Sequence, residues 1–220
     1  MELAEPEHRA ELARLLAREL EASKGALRTG FVGTPYLCRV LTREGYNGLA
    51  YELLLREEFP GWLYAVNLGA TTIWERWNSV LEDGRLSDIH MNSLNHYTYG
   101  SIMEWVYRHA AGLNPVEGSP GFRSVLLKPH PDRRLPRLDV LYESAAGLYR
   151  SAWEIEGIRF TWHVQIPFDC TAKAVFPFAQ ADTLKKHLSE LKIKEDGDGV
   201  FALLTAGEYR FEYPVDLEKV

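Results

Sequence analysis

Cysteine is scarce in this chain of 220 residues, which contains only Cys38 and Cys170. The two lie far apart in the sequence and fall in different predicted domains, so we expect no structural disulfide and a reducing compartment. The chain starts with Met1-Glu2-Leu3-Ala4-Glu5, whose acidic character opposes the positively charged start of a signal peptide. A cytoplasmic location is therefore expected.

Basic clusters and long apolar runs are also missing. The chain has 25 Lys and Arg against 31 Asp and Glu, a net charge of −6. Nucleic acids and anionic membranes are bound by clustered cations that neutralise phosphates, so we expect neither as a partner. No apolar run approaches the ~18 residues that a membrane-spanning helix needs. The 46% hydrophobic content instead indicates a globular protein with a sizeable core.

The spacings typical of metal and nucleotide chemistry are not found either. His90 and His96, with Asp88 nearby, do not have zinc-type spacing, and the carboxylates do not cluster as a calcium loop requires. There is no glycine-rich phosphate loop and no serine nucleophile elbow. We therefore expect no catalytic metal and no cofactor.

The first part of the chain has helical periodicity. Leu12, Leu15, Leu16 and Leu20 fall on one face of a helix predicted from Pro6 to about Leu20, and this face needs a partner. Further helices are predicted from about Pro35 to Glu44, from near Asn47 until the break at Phe59-Pro60-Gly61, around Trp62 to Leu68, and from Thr98 to Ala111. Gly45 and Gly112 are expected to end the helices that they follow.

The periodicity changes after about residue 115, where proline and glycine become frequent. From Ile158 to Ile166 apolar and polar residues alternate, which predicts a strand with one buried face. Similar patterns at Tyr149–Ile155 and Tyr209–Tyr213, separated by tight turns, predict an antiparallel β-sandwich. We place the domain boundary here, with a helical segment at 1–115 and the sandwich at 116–220. The polar run at 185–195 is predicted to be a solvated face or an edge guarded by lysine.

The segment from Gly69 to Trp77 lacks helical periodicity and carries the strongest chemical signal. It places Glu75 between Trp74 and Trp77, with Arg76 beside it. Indole faces stack on sugar rings and partly desolvate a carboxylate, while a neighbouring guanidinium favours its ionised form. This combination suits carbohydrate chemistry. The alternative is a solvated Glu75–Arg76 pair on a turn, with the tryptophans in a core.

Four motifs follow one another along the helical part: Gly33-Thr34-Pro35-Tyr36-Leu37, Leu53-Leu54-Leu55 running into Phe59-Pro60-Gly61-Trp62-Leu63-Tyr64, the Gly69–Trp77 segment, and Asn92-Ser93-Leu94-Asn95-His96-Tyr97. In this order they resemble the bacterial α-L-rhamnosidases of glycoside hydrolase family 78. The resemblance is strong from about Gly30 to Gly112 and looser beyond. It implies an α+β fold in two segments, namely the end of an (α/α)6 barrel followed by an antiparallel β-sandwich. Members of the family are several times longer, and the barrel helices that carry their general acid precede the matched region.

The resemblance also implies roles for individual residues. Glu75 matches the general base of this inverting family, and His96 matches a histidine that contacts the rhamnose. Trp77 and Asn95 are further candidates for substrate contact, with barrel-wall packing and capping of the next helix as their alternatives. Tyr36 is a candidate for lining the same pocket. Glu104 is the nearest possible substitute for the acid, but its mid-helix position predicts that it faces solvent or pairs with a cation.

The implied function is therefore the C-terminal part of an α-L-rhamnosidase-like inverting glycoside hydrolase that acts on terminal α-L-rhamnosides. It would supply the base without the acid, so the isolated chain is expected to be inactive. The alternative is a non-catalytic carbohydrate-binding or structural module. A rhamnose-containing glycoside is the expected ligand, and the apolar helix faces predict self-association or an upstream catalytic segment as a partner.

Overall fold

The computed structural model describes residues 4–87 and 90–216. The chain folds into two compact units, one up to Trp105 and the other from Val106 onwards. The first unit is helical and the second is built on two sheets, which confirms the predicted fold class. The boundary predicted from the sequence, after residue 115, comes later in the chain than this division and follows the first strand, Leu113–Pro115. None of the helices within the described ranges is long and apolar enough to cross a membrane.

The helical unit contains α1 (Arg9–Ala22), α2 (Thr34–Arg43), α3 (Asn47–Leu54), α4 (Trp62–Asn67) and α5 (Ile102–Trp105), with 3₁₀ turns at Pro6–His8 and Thr98–Ser101. A π-helical turn, Val106–Ala110, follows in the second unit. Each predicted helix is present. The helix predicted from Thr98 to Ala111 consists of 3₁₀, α and π turns in succession rather than one regular α-helix.

The centre of the helical unit lies where α5 meets α2 and α3. The Trp105 indole Nε1 donates to Thr42 Oγ1 at 2.8 Å, and the Thr42 hydroxyl donates to Asn47 Oδ1 at 3.1 Å. Trp105 also packs edge-on against the fully buried Tyr51, with ring centroids 5.0 Å apart. These contacts satisfy the polar atoms of Trp105 and Thr42 and fix α5 against α2 and α3.

Only part of the apolar face of α1 has a partner in the described residues. Leu20 is buried together with Ala13 and Ala17, whereas Leu12 and Leu15 are 49% and 46% exposed. Leu12, together with the partly buried Leu16, lines a groove of about 540 Å³ between α1 and α2. The small side chains of Ala13 and Ala17 explain the difference, because they allow α1 to approach its neighbours closely. The buried stripe of α1 is therefore narrower than the leucine pattern predicts.

The second unit contains nine strands within the described residues: β1 (Leu113–Pro115), β2 (Ser124–Leu127), β3 (Arg137–Ser144), β4 (Gly147–Glu156), β5 (Arg159–Ile166), β6 (Thr171–Val175), β7 (Lys194–Asp196), β8 (Gly199–Leu204) and β9 (Gly207–Pro214). One sheet has the order β1-β2-β6-β8-β7 and the other has the order β3-β4-β5-β9. All pairs are antiparallel except β2 with β6.

The core of the second unit confirms the alternating pattern predicted for β5. Phe160, Trp162, Val164 and Ile166 are buried, and Trp162 lies directly opposite Trp153 of β4. The polar run at 185–195 begins in a short helix, α6 (Ala181–His187), which the sequence did not predict. The same run ends in β7, an exposed edge strand that begins with a lysine. A solvated face and a lysine-bearing edge are therefore both present.

Gly112 ends the helical turn before β1, as predicted. Its φ of +77° belongs to the left-handed region, and a Cβ atom at this position would lie 2.1 Å from the carbonyl carbon of Lys128. The Lys128 amide donates to the Gly112 carbonyl oxygen at 2.9 Å. Only glycine allows the two backbones to approach this closely.

Both cysteines are free and buried, and burial raises the pKa of Cys38 to about 12.

Candidate functional site

Two irregular loops of the helical unit pair with each other. We call residues 69–77 the Glu75 loop and residues 92–97 the His96 loop. Hydrogen bonds join them: Glu75 N to Ser93 O (2.9 Å), Ser93 N to Glu75 Oε2 (2.7 Å), His96 N to Ile73 O (2.7 Å), and Thr72 Oγ1 to Leu94 O. These bonds satisfy backbone groups that have no helix or sheet to join. The two motifs that carry the chemical signal in the sequence are therefore neighbours in space.

The Glu75 side chain is oriented by the opposite loop. Its Oε2 accepts a hydrogen bond from the Ser93 amide at 2.7 Å, and the residue is half-buried. A bond from an N–H group to a carboxylate is charge-assisted, so it is shorter and stronger than a neutral one. An ionised carboxylate retains lone pairs for further donors. Glu75 is thus held in place by the opposite loop.

Arg76 contacts Ser79 and His90. Its Nη2 donates to the His90 carbonyl oxygen at 3.3 Å, and its backbone amide donates to Ser79 Oγ at 3.1 Å. The carboxylate of Glu75 is oriented by a backbone amide, as described above. The guanidinium therefore links the Glu75 loop to the backbone of His90.

His96 lies in a stack of aromatic rings. The centroids of Phe31 and Tyr97 are each 5.1 Å from the imidazole centroid, with interplanar angles of 17° and 13°. His96 Nδ1 accepts a hydrogen bond from the Thr98 amide at 3.3 Å. A neutral ring with Nδ1 as the acceptor carries its proton on Nε2, which can donate to a ligand oxygen. His96 also lines a cavity of about 400 Å³ together with Phe31, Val32 and Tyr97.

Asn95 is exposed in the turn that precedes His96. The alternative that Asn95 caps the following helix is wrong, because the 3₁₀ turn begins at Thr98 and Tyr97 occupies the N-cap position. The Thr98 amide donates its hydrogen bond to His96 Nδ1 instead. A role for Asn95 in substrate contact stays a prediction.

Trp77 ends the Glu75 loop, but its ring packs on other aromatic residues, and Tyr36 lies outside both loops on α2. The Trp77 ring stacks on Tyr99 with centroids 3.8 Å apart and meets Trp62 edge-on at 5.1 Å. These three residues and Trp74 line a separate cavity of about 270 Å³. Tyr36 is 46% exposed on α2 and lines the groove beside α1. The structure therefore brings Glu75 and His96 onto paired loops, while the roles of Trp77 and Tyr36 in sugar binding stay predictions.

Sequence reasoning missed Ser93, which uses its amide, its carbonyl and its hydroxyl in this site. Its hydroxyl accepts from the Asn95 amide at 3.1 Å and closes the turn that leads to His96. A serine two residues before an asparagine in a loop is a signal for such a turn. That signal was present within the fourth motif.

Comparisons with known proteins show what this chain is similar to. The model of the bacterial alpha-L-rhamnosidase 6 hairpin glycosidase domain matches residues 1–110, and that of the bacterial alpha-L-rhamnosidase C-terminal domain matches residues 112–189. The chain belongs to the bacterial α-L-rhamnosidase family. The family resemblance drawn from the four motifs is therefore confirmed.

Relatives of this family cover nearly the whole chain. The α-L-rhamnosidase of Streptomyces avermitilis is 36% identical over 192 residues, which are 87% of this chain and 18% of that protein. An α-L-rhamnosidase of Formosa agariphila is 34% identical over 218 residues, 96% of this chain and 23% of that protein. The crystal structure of the S. avermitilis enzyme complexed with L-rhamnose matches with a TM-score of 0.83 at 34% identity, covering 96% of this chain and 20% of that one.

The chain thus spans about a fifth of the length of the curated relatives that it matches. It corresponds to a C-terminal portion of these glycoside hydrolases, with part of the helical glycosidase domain followed by the C-terminal domain.

Proposed function

We propose that this chain forms the base-side part of an inverting α-L-rhamnosidase that removes terminal α-L-rhamnosyl residues from glycosides. The observation that carries the proposal is the Glu75 carboxylate, held by the Ser93 amide at 2.7 Å in a loop that also bonds to His96. A similar solved enzyme is a complex with L-rhamnose, which supports rhamnose as the sugar.

In the proposed reaction Glu75 accepts a proton from a water molecule while the water oxygen attacks the anomeric carbon. The bond from that carbon to the glycosidic oxygen breaks, and a general acid on the opposite face of the sugar protonates the departing oxygen. The two carboxyl groups of an inverting enzyme lie ~6.5–9.5 Å apart, which leaves room for the water. The Nε2–H of His96 would donate to a hydroxyl of the rhamnose and orient the ring.

The isolated chain would be inactive, because the acid is expected from the part of the enzyme that precedes the matched motifs. Glu104, the nearest substitute by motif context, is exposed on α5 and lies 3.6 Å from the Arg39 guanidinium. This agrees with its predicted pairing with a cation. A half site offers few hydrogen bonds, so the chain alone should bind rhamnose with millimolar affinity at best, on the order of −4 kcal/mol.

The base role is tested by kinetics in a complete enzyme that carries this segment, with an aryl α-L-rhamnoside as substrate. Glu75→Gln keeps the size and a hydrogen-bonding oxygen but removes the base, so kcat should fall roughly 10²-fold or more while rhamnose still binds. Glu104→Gln is the matched control and should leave kcat within about twofold, since an exposed ion pair contributes little.

Near-normal kcat in Glu75→Gln would assign the base to another carboxylate. The prediction of inactivity is tested separately by assaying the isolated chain beside its Glu75→Ala variant. Turnover that disappears in Glu75→Ala would show that the chain assembles a complete site by itself and would refute that prediction.

A further inference from the structure

We propose that Ser93 is a positioning residue that holds Glu75 and His96 in a single arrangement. The inference rests on the proposed function of these two residues and adds a residue on which both depend. It comes from the hydrogen bonds of Ser93, which connect it to both loops of the site.

The backbone of Ser93 determines where the Glu75 carboxylate lies. Its amide donates to Glu75 Oε2 at 2.7 Å, and its carbonyl oxygen accepts from the Glu75 amide at 2.9 Å. Both backbone groups of one residue are therefore bonded to one other residue. A glutamate side chain has several rotatable bonds, and this closed pair of contacts selects one conformation. Any displacement of residue 93 consequently moves the carboxylate.

The side chain of Ser93 determines the path of the chain to His96. Its Oγ accepts from the Asn95 amide and donates to the Asn95 carbonyl oxygen, each at 3.1 Å. A hydroxyl can donate and accept at the same time, and these bonds close the turn at residues 93–95. His96 follows at once and donates its amide to Ile73 of the Glu75 loop at 2.7 Å. The hydroxyl thus links the backbone that holds Glu75 to the residue that carries the imidazole.

The turn itself contributes little buried apolar surface. Leu94 is 39% exposed, and Asn95 is exposed as well. A turn with little buried apolar surface depends on its local hydrogen bonds for a fixed shape. Because the turn is exposed, water can satisfy its backbone groups when the hydroxyl is removed. Loss of the hydroxyl should therefore disorder the site without unfolding the unit.

The second unit supplies a matched control. Ser144 in the β3–β4 hairpin makes the same kind of turn, with its Oγ accepting from the Ala146 amide at 3.1 Å and donating to the Gly147 carbonyl oxygen at 2.9 Å. Ser144→Ala removes an equivalent pair of bonds from a unit that contains neither Glu75 nor His96. A general cost of losing a serine turn would appear in both variants.

The experiment measures the affinity of the full chain for L-rhamnose by NMR titration of the wild type, Ser93→Ala, Ser93→Thr and Ser144→Ala. Ser93→Ala should bind roughly fivefold more weakly, the size expected for one net hydrogen bond. Ser93→Thr keeps the hydroxyl and should stay within about twofold of the wild type, as should Ser144→Ala. Amide hydrogen exchange at residues 93 and 96 should accelerate in Ser93→Ala and remain slow in Ser93→Thr.

The outcomes separate this inference from the proposed function. A wild-type chain that does not bind L-rhamnose would contradict the proposed function itself. A wild-type chain that binds, with Ser93→Ala equally tight, would overturn the positioning role, as would equal losses in Ser93→Ala and Ser93→Thr. If Ser93→Ala does not fold, Ser93→Asn is measured beside Ser93→Thr and should stay near the wild-type affinity, because its side-chain oxygen can accept from the Asn95 amide. Ser93→Thr and Ser93→Asn that fold but both lose fivefold or more would also overturn it.

Discussion

Replacement of Ser151 by alanine should strongly destabilise the second unit. Ser151 lies on β4 and is fully buried. Its Oγ donates to the Ala111 carbonyl oxygen at 2.7 Å and accepts from the Trp162 indole Nε1 at 3.1 Å. Alanine would leave one buried acceptor and one buried donor without a partner. Each such group costs about 1–3 kcal/mol, so the free energy of unfolding should fall by about 2–6 kcal/mol. That is a large share of the stability of an ordinary domain.

The assay is denaturant unfolding of the chain, combined with native-state hydrogen exchange at the amides of β4 and β5. Exchange resolves the second unit separately, because a chain with two units need not unfold in one transition. Ser144→Ala provides the control and should cost less than about 1 kcal/mol, because its turn is only partly buried. A loss below about 0.5 kcal/mol in Ser151→Ala would refute the reasoning, since it would mean that water reaches both groups.

Two further predictions follow, one for the second unit and one for the helical unit. Burial, with a smaller effect of the Lys128 charge, lowers the pKa of His130 from its usual 6.5 to about 4. The unfolded state therefore binds the proton more readily, so the stabilising contribution is complete above pH 6.5 and is lost towards pH 4, by up to about 3 kcal/mol. Urea unfolding between these pH values should show the loss, and His130→Gln should flatten the profile. In the helical unit, Leu12 is exposed in the groove of about 540 Å³ and Leu15 is exposed on the same helix, which predicts self-association that Leu12→Lys should weaken. A monodisperse wild-type monomer in sedimentation velocity would contradict this prediction.

The elements with a clear periodicity could be predicted from the sequence. Strict alternation in β5 and helical spacing in α2 and α3 reflect burial of one face, which the pattern of apolar residues records directly. Helix α6 could not be predicted in this way, because Leu184 is its one fully buried residue and the rest of the segment is polar. The parallel pairing of β2 with β6 was equally hidden, since it joins strands that are far apart in the sequence.

The candidate site was predictable to a similar degree. The motifs placed Glu75 and His96 on loops, where the structure also has them. The sequence did not show that Trp77 stacks on Tyr99, because that contact depends on how distant segments pack. The role of Ser93 was hidden for another reason. Its contacts are hydrogen bonds of a turn, which leave no trace in a pattern of apolar and polar residues.

The central claim is that the paired Glu75 and His96 loops form the base side of a rhamnose site. The most direct test is titration of the ¹⁵N-labelled chain with L-rhamnose, with amide shifts mapped onto the structure and Glu75→Ala and His96→Ala as variants. We expect saturable shifts with millimolar affinity, concentrated at residues 72–77 and 93–98 and diminished in both variants. Shifts that fall in the second unit, or shifts unchanged by the two substitutions, would contradict it.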